Sequence, residues 1–284
     1  MLDMKENVEL EKMATQIRRD IVRMVYNCQS GHPGGSLGCT DYFTALYFSV
    51  MKYGKVFNME AHNEDVFYLS NGHISPVFYS TLARAGFFPI SELKTFRKLN
   101  SRLQGHPTTH EGLPGIRIAS GSLGQGISVA NGTAYSKKMN GDKNLVYVLC
   151  GDGELDEGQN WEAIMFAAAK KLDNLILTVD WNGQQIDGTT EHVMSLGDLP
   201  KKFEAFGWET SIIEKGNNIE AIIQSLTKAG NAVGNGKPKV LLMRSQMGFG
   251  VDYMVGNHKW HGTAPNKDQL ALALAELPET LGDF

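Results

Sequence analysis

The stretch LVYVLCGDGELDEGQNWEAIMFAAAKKLDNLILTVDWN, residues 145–182, decides the fold. It begins with the apolar run LVYVLCGD (145–152) and nearly ends with a second apolar run, LILTVD (175–180). Residues 157–171, which lie between the two runs, are predicted to form a helix. Two short apolar runs joined by a helix indicate a βαβ unit, whose strands are buried in a parallel sheet.

The alternation of strands and helices continues on both sides of this unit. Further strands are predicted at 65–70, 207–214 and 238–245, and helices at 8–28, 39–52, 74–86, 91–99, 126–140, 200–206 and 218–232. Segments 30–38 and 100–123 are predicted to be irregular because they are rich in glycine and proline. The pattern predicts an α/β fold of three layers, with helices on both faces of a mostly parallel sheet and residues 1–284 in one domain.

The composition excludes several classes of protein. There are 27 Lys and Arg against 31 Asp and Glu, and this net charge of −4 argues against a nucleic-acid-binding surface. No apolar run reaches about 18 residues, so no membrane span is predicted, and the polar N-terminal sequence MLDMKENVELEKM lacks a signal-peptide pattern. The three cysteines show no CxxC spacing, which favours reduced thiols in a cytoplasmic protein.

Oxygen-bearing side chains follow the two central strands. Asp152 ends the first strand and Asn182 comes just after the second. Because the carboxyl ends of parallel strands meet at one edge, both should lie in the crevice where such sheets bind ligands. A carboxylate, an amide oxygen and a nearby backbone carbonyl suit Mg²⁺ or Ca²⁺, with phosphate oxygens completing the shell. No Lys or Arg lies between residues 151 and 169, so the metal would neutralise the phosphates.

This spacing resembles the thiamine-diphosphate-binding motif, in which GDG is followed by Asn after 28 intervening residues. GDG alone is a weak signal, but EGQNWEA (157–163) and DWNGQQIDG (180–188) strengthen it. Further motifs occur in the order seen in transketolases: SGHPGGSLG (30–38), SNGH (70–73), GHP (105–107), SGSLGQGI (120–127) and HKWHG (258–262). Over essentially its whole length, the chain is similar to the N-terminal, diphosphate-binding half of a transketolase.

The resemblance implies which residues hold the metal and the cofactor. Asp152, Asn182 and the carbonyl of Gln184 would bind Mg²⁺, for which Ca²⁺ or Mn²⁺ could substitute. The implied contacts with thiamine diphosphate are His73, Gly121, Ser122, Leu123, Gly153, Asn182, Ile186, Met247 and His261. Ser122 departs from the proline of the family's Gly-Pro-Leu, although a contact through the backbone would survive this change.

The resemblance also implies catalytic residues. His32, His106 and His261 match the histidines of the substrate channel, where imidazoles can donate to sugar hydroxyls or move protons near neutral pH. Glu157 and Glu162 follow GDG on a helix that lies at the dimer interface in the family, where its acids join a proton network. The alternative for these two acids is a stabilising position near a helix N-terminus.

The activity implied by the resemblance is transfer of a two-carbon ketol unit from a ketose phosphate donor to an aldose acceptor. Usual transketolases also contain a pyrimidine-binding domain and a C-terminal domain, which have no counterpart in residues 1–284. We therefore expect these domains on a partner chain that supplies the glutamate activating the cofactor. Two copies of each chain would give a closed, symmetric assembly.

Three alternatives remain open at this stage. The chain could belong to a deoxyxylulose-phosphate-synthase-like or 2-oxoacid-dehydrogenase-like enzyme, although SGHPGG with its histidine favours transketolase. It could be a non-catalytic cofactor-binding half, or it could serve a transketolase specialised for an unusual sugar. Trp181, which stands where relatives often have Asp or Asn, is assigned no firm role.

Overall fold

Five parallel strands form the central sheet of the computed structural model, which describes residues 4–54 and 56–284. The strands in chain order are β1 (Val66–Leu69), β2 (Val146–Gly151), β3 (Leu175–Asp180), β4 (Gln184–Gln185), β5 (Gly188–Thr189), β6 (Glu209–Ile213) and β7 (Lys239–Met243). Across the sheet the order is β1-β2-β3-β7-β6, and β4 pairs with β5 as a separate antiparallel hairpin.

Helices cover both faces of the sheet. They are α1 (Met4–Cys28), α2 (Pro33–Gly38), α3 (Thr40–Ala45), α4 (Ser75–Arg84), α5 (Gly126–Met139), α6 (Gly158–Ala169), α7 (Thr190–Val193), α8 (Leu199–Ala205), α9 (Ile219–Asn231) and α10 (Lys267–Glu276). Side chains of β2 alternate between two cores, because Tyr147 and Leu149 pack with α1, α3, α4 and α9, whereas Val146 and Val148 pack with α5, α6 and α8. The predicted three-layer α/β architecture is thus confirmed.

The βαβ unit predicted from residues 145–182 is confirmed, since α6 joins the adjacent parallel strands β2 and β3. The helix predicted at 91–99 is wrong. It is a 3₁₀ turn at Ile90–Thr95, followed by irregular backbone in which Arg97 and Asn100 have positive φ. Among the described helices, none has both the length and the apolar character that a membrane crossing requires.

The glycine-rich segment 30–38, predicted to be a loop, instead contains the short helix α2 with Pro33 in its first turn. Its glycines allow backbone to pack on backbone. A Cβ added to Gly34 would lie 2.8 Å from the carbonyl oxygen of Trp260, and one added to Gly38 would lie 2.9 Å from that of Gln246. These contacts hold α2 against the segments that follow β7.

A buried ion pair fastens α4 to α1. The side chains of Arg84 and Asp20 are 3% and 0% exposed, and Arg84 donates to the two carboxylate oxygens at 2.6 and 2.9 Å. Ser80 donates a further hydrogen bond to Asp20. Because water does not reach the Asp20 carboxylate, these hydrogen bonds are what stabilise its negative charge.

We predict that Arg84→Met lowers the free energy of unfolding by about 3–5 kcal/mol, because it leaves Asp20 buried without a counter-ion. Urea denaturation measures the loss. The matched control is Arg102→Met, which breaks a partly exposed pair with Glu92 and should cost about 1 kcal/mol or less. Equal losses in the two variants would contradict the importance of the buried pair.

Candidate active site

A cleft with an empty volume of about 590 Å³ opens at the carboxyl ends of β1, β2 and β3. It lies where parallel α/β sheets bind ligands. Nine of the residues predicted to form the site line it: His73, Leu123, Asp152, Gly153, Asn182, Gln184, Ile186, Met247 and His261. The structure thus gathers residues that are far apart in the sequence into one cavity.

Asp152 lines this cleft and is 1% exposed. One of its carboxylate oxygens accepts a hydrogen bond from the backbone N–H of Gly183 at 2.6 Å, and the other accepts from the N–H of Gly153 at 2.8 Å. Each oxygen therefore keeps a lone pair for a further ligand. These bonds also tie the loop after β2 to the loop after β3.

The loop after β3 presents three more oxygen-bearing groups. Asp180 ends the strand and accepts hydrogen bonds from Asn182 Nδ2 at 2.8 Å and from the hydroxyl of Ser245. The amide oxygen of Asn182 accepts from the backbone N–H of Gln184 at 2.8 Å, which begins the β4–β5 hairpin. The hairpin holds Asn182 and Gln184 opposite Asp152 in the cleft.

This set of groups fits a hard divalent cation. Burial, together with the negative charge of Asp180, raises the pKa of Asp152 to about 8, and burial raises the pKa of Asp180. Among the described residues that line the cleft, none is a Lys or Arg that could neutralise these acids. The described residues form no cluster of three or more His, Cys, Asp or Glu suited to a metal. The carboxylate and amide oxygens present are of the kind that hard cations such as Mg²⁺ prefer.

Glu154 connects three loops beneath the cleft. It is 3% exposed, and its carboxylate accepts hydrogen bonds from Ser70 Oγ at 2.5 Å and from the N–H groups of Gly124 at 2.7 Å and Gly151 at 3.1 Å. These donors come from the loops after β1, before α5 and at the end of β2. The buried carboxylate therefore fixes the relative positions of loops that line the cleft.

Four imidazole rings form a cluster, in which His73 and His261 line the cleft and His32 and His106 lie beside them, outside its lining. The ring centroid of His32 lies 5.1 Å from that of His73, 5.4 Å from that of His261 and 6.1 Å from that of His106, and His73 lies 4.9 Å from His261. Burial lowers the pKa of all four, that of His32 to about 3. The rings are therefore neutral at physiological pH, and each can donate through one nitrogen and accept through the other.

Two of the predicted cofactor contacts lie beside the cleft, not in its lining. Gly121 and Ser122 are exposed, while the next residue, Leu123, lines the cavity. A Cβ added to Gly121 would lie 3.6 Å from Cβ of His106, so this loop packs against the histidine cluster. Both residues remain predicted contacts.

Glu157 and Glu162 lie outside the cleft. Both are exposed, Glu157 immediately before α6 and Glu162 within it. The two acids do not contribute to the cavity of this chain, so their predicted role at a subunit interface remains a prediction.

The structure shows what the side chain of Trp181 contacts, which the amino-acid sequence did not predict. The guanidinium of Arg244 lies 3.5 Å from the centre of its indole ring, and the ring packs against the core beneath α5, α6 and α8. A cation over an aromatic face is attractive. The pair therefore braces the ends of β3 and β7 beside Asn182.

Sequence reasoning missed several residues of the site. Asp180 was visible as the acid that ends the second apolar run, and Glu154 as the residue after GDG, but neither position indicates its partners. Asn71 also lines the cleft, and its buried amide oxygen has no hydrogen-bond partner among the described residues. The signal for all three is a polar residue within three positions of the carboxyl end of a predicted strand.

Comparisons with known proteins agree with this geometry. The family described as "Transketolase, thiamine diphosphate binding domain" matches residues 10–278. An apulose-4-phosphate transketolase subunit from Actinobacillus succinogenes is 40% identical over 274 residues, which cover 95% of this chain and 96% of that protein. The 6-deoxy-6-sulfo-D-fructose transketolase subunit SqwG from a Clostridium species is 36% identical over 278 residues, which cover 96% of this chain and 98% of that protein.

Solved structures show the same relationship. Transketolase from Leishmania mexicana superposes with a TM-score of 0.87 at 31% identity, over 94% of this chain and 41% of that one. Transketolase from Campylobacter jejuni superposes with a TM-score of 0.87 at 31% identity, over 97% of this chain and 43% of that one. This chain spans about two fifths of these transketolases, and nearly the whole of the Actinobacillus and Clostridium subunits. The chain therefore belongs to the transketolase family and corresponds to its thiamine-diphosphate-binding domain, the part that the split relatives carry as a separate subunit.

Proposed function

We propose that this chain is the thiamine-diphosphate-binding subunit of a transketolase, which moves a two-carbon ketol unit from a ketose phosphate to an aldose. The observation that carries the proposal is one cleft that combines the oxygen donors of Asp152 and Asn182 with His73 and His261, the inner two of four clustered neutral histidines. A diphosphate with its metal fits the first group, and sugar hydroxyls fit the second. The names of the similar subunits support the same reaction class.

In this proposal Asp152, Asn182 and the carbonyl of Gln184 hold Mg²⁺, and Gly153 contributes a backbone contact to the diphosphate. His73 and Leu123 contact the diphosphate side, while the apolar side chains of Ile186 and Met247 face the thiazolium. Thiamine diphosphate, when bound, supplies the nucleophilic carbon and the electron sink for carbon–carbon cleavage.

The histidines orient the sugar and move its protons. Cleavage of a ketose requires that a hydroxyl lose its proton, and a neutral imidazole of His32 or His261 can accept it. His106, at the exposed side of the cluster, can donate to a hydroxyl further along the chain of the sugar. Burial keeps these rings neutral across the physiological pH range, so each has an unprotonated nitrogen that can accept a hydrogen bond from a sugar hydroxyl and take its proton during the reaction.

A partner chain completes the site in this proposal. It carries the pyrimidine-binding domain and the activating glutamate, and two copies of each chain form the assembly. Exposed apolar side chains on α5 and α6 support such an interface: Val129, Tyr135, Met139, Met165 and Phe166 are 37–69% exposed. Glu157 immediately precedes α6 and Glu162 lies within it, and in this proposal the partner covers both exposed acids. The free cysteines support a reducing, cytoplasmic location.

The direct test is reconstitution. The purified chain, with thiamine diphosphate and Mg²⁺, should show no ketol transfer alone and should gain it when mixed with a pyrimidine-domain subunit. His32→Ala should lower turnover by about 100-fold, roughly 2.7 kcal/mol, and leave cofactor affinity within about threefold. His261→Ala should lower turnover by a similar factor, and its affinity for thiamine diphosphate should also fall, because His261 lines the cleft and is a predicted cofactor contact. Full turnover by the isolated chain would contradict the need for a partner. Cleavage of pyruvate in place of ketoses would favour a 2-oxoacid-type enzyme.

A second prediction concerns the metal. Asp152→Asn should weaken thiamine diphosphate binding by at least about 100-fold in calorimetry with Mg²⁺, because the diphosphate would lose its neutralising cation. Wild-type protein with a chelator should show a similar loss. The matched control is Asp156→Asn, which changes a neighbouring acid in the same 3₁₀ turn and should bind normally. Chelator-insensitive binding in the wild type would refute the metal site.

A further inference from the structure

Arg97 bridges the two loops that carry His32 and His106. Its Nη1 donates to the hydroxyl of Ser30 at 2.8 Å, and its Nη2 donates to the carbonyl of Gly105 at 3.4 Å. Ser30 lies two residues before His32, and Gly105 immediately precedes His106. One planar guanidinium therefore spans two loops that are more than 70 residues apart in the sequence.

The backbone around Arg97 is shaped to hold this bridge. Arg97 has a φ of +56°, in the left-handed region that non-glycine residues rarely adopt, and its N–H donates to the carbonyl of Leu103 at 2.9 Å. A Cβ added to Gly105 would lie 2.9 Å from Cζ of Arg97, so the guanidinium rests directly on a glycine backbone. Strained residues persist where the surrounding structure requires them, commonly at functional sites.

The charge of Arg97 acts on the same imidazoles. Burial is the main cause of the lowered pKa of His32 and of His106, and the positive charge of Arg97 lowers the pKa of both further. The other ionisable groups that face the cluster are His73 and His261, and Asp187, whose charge raises the pKa of His261. On its other side Arg97 faces the thiol of Cys28. Arg97 does not line the cleft itself.

We propose that Arg97 is a positioning residue of the transketolase reaction proposed above, on which this role depends. Its fork of N–H donors fixes the distance between the His32 and His106 loops, and its fixed positive charge favours the neutral form of both rings. A lysine could supply the charge, but a single ammonium on a flexible stem does not replace a planar fork. Substitution of Arg97 by Lys, which keeps the charge, and by Met, which removes it, can therefore separate the effect of its hydrogen-bond geometry from the effect of its charge.

The experiment compares Arg97→Met and Arg97→Lys in the enzyme assembled with its partner chain. Arg97→Met should lower kcat/KM by about 10- to 100-fold, while the affinity for thiamine diphosphate stays within about threefold. The acid limb of its kcat/KM profile should move to higher pH, because losing a positive neighbour raises the imidazole pKa and the competent neutral form is lost sooner on acidification. Arg97→Lys should also lose activity but keep the acid limb in place.

Arg102→Met is the matched control, since Arg102 belongs to the same irregular segment and pairs with Glu92. Its activity and pH profile should equal those of the wild type. If Arg97→Met leaves kcat/KM and its pH profile unchanged, the positioning role is wrong. It is equally wrong if activity and cofactor affinity fall together in both Arg97 variants while the acid limb stays in place, since that outcome indicates packing alone.

A second measurement does not require turnover. In the full chain labelled with ¹³C-histidine, NMR titration should show the midpoint of His106 at higher pH in Arg97→Met than in the wild type or in Arg102→Met, with resonances assigned by His32→Gln and His106→Gln. An unchanged midpoint overturns the role of the charge. If the wild-type assembly transfers no ketol unit while this midpoint moves, the proposed function fails and the electrostatic contact of Arg97 stands.

Discussion

Two carboxylates buried side by side at the ends of neighbouring strands are the constraint on which the site depends. Asp152 immediately follows β2 and Asp180 ends β3, and the parallel register, in which Gly151 pairs with Asp180, places them together. Burial of two charged acids without a basic residue in the cleft is costly unless a proton or a cation compensates them, and the raised pKa of both acids reflects this cost. The proposed divalent metal would supply this compensation together with the anion that it carries.

The rest of the site follows from packing around this edge of the sheet. Glu154 fixes the glycine loops on one side, and the glycine contacts of α2 bring the His32 loop against the segments after β7 on the other. The histidines are thereby held in an environment that keeps them neutral, and His73 and His261 line the same cleft as the acidic pair. In the proposed function, acids that hold a metal and neutral histidines that bind a sugar can coexist, because the metal would compensate the acids.

Features of the fold and the site that depend on residues close together in the sequence could be predicted, whereas features that depend on contacts between distant residues could not. The β2–α6–β3 unit was predictable because its apolar runs and its acids are local features of residues 145–182. Asp152 and Asn182 were predicted from their positions after two strands and His261 through a family resemblance, and the structure brings all three into one cleft. Helix α2 was missed because its stability comes from contacts with Gln246 and Trp260, more than 200 residues away. Arg97 was missed because its positive φ and its two acceptors are invisible in a helical-looking run.

The most direct test of the central claim is a crystal structure of the chain with thiamine diphosphate and Mn²⁺, in which anomalous scattering locates the metal. We expect one strong anomalous peak within coordination distance of the Asp152 carboxylate, the Asn182 amide oxygen and the Gln184 carbonyl, with diphosphate oxygens completing the shell. An ordered cofactor in the cleft with no metal at these three groups, or with the metal held at the histidines, would contradict the account.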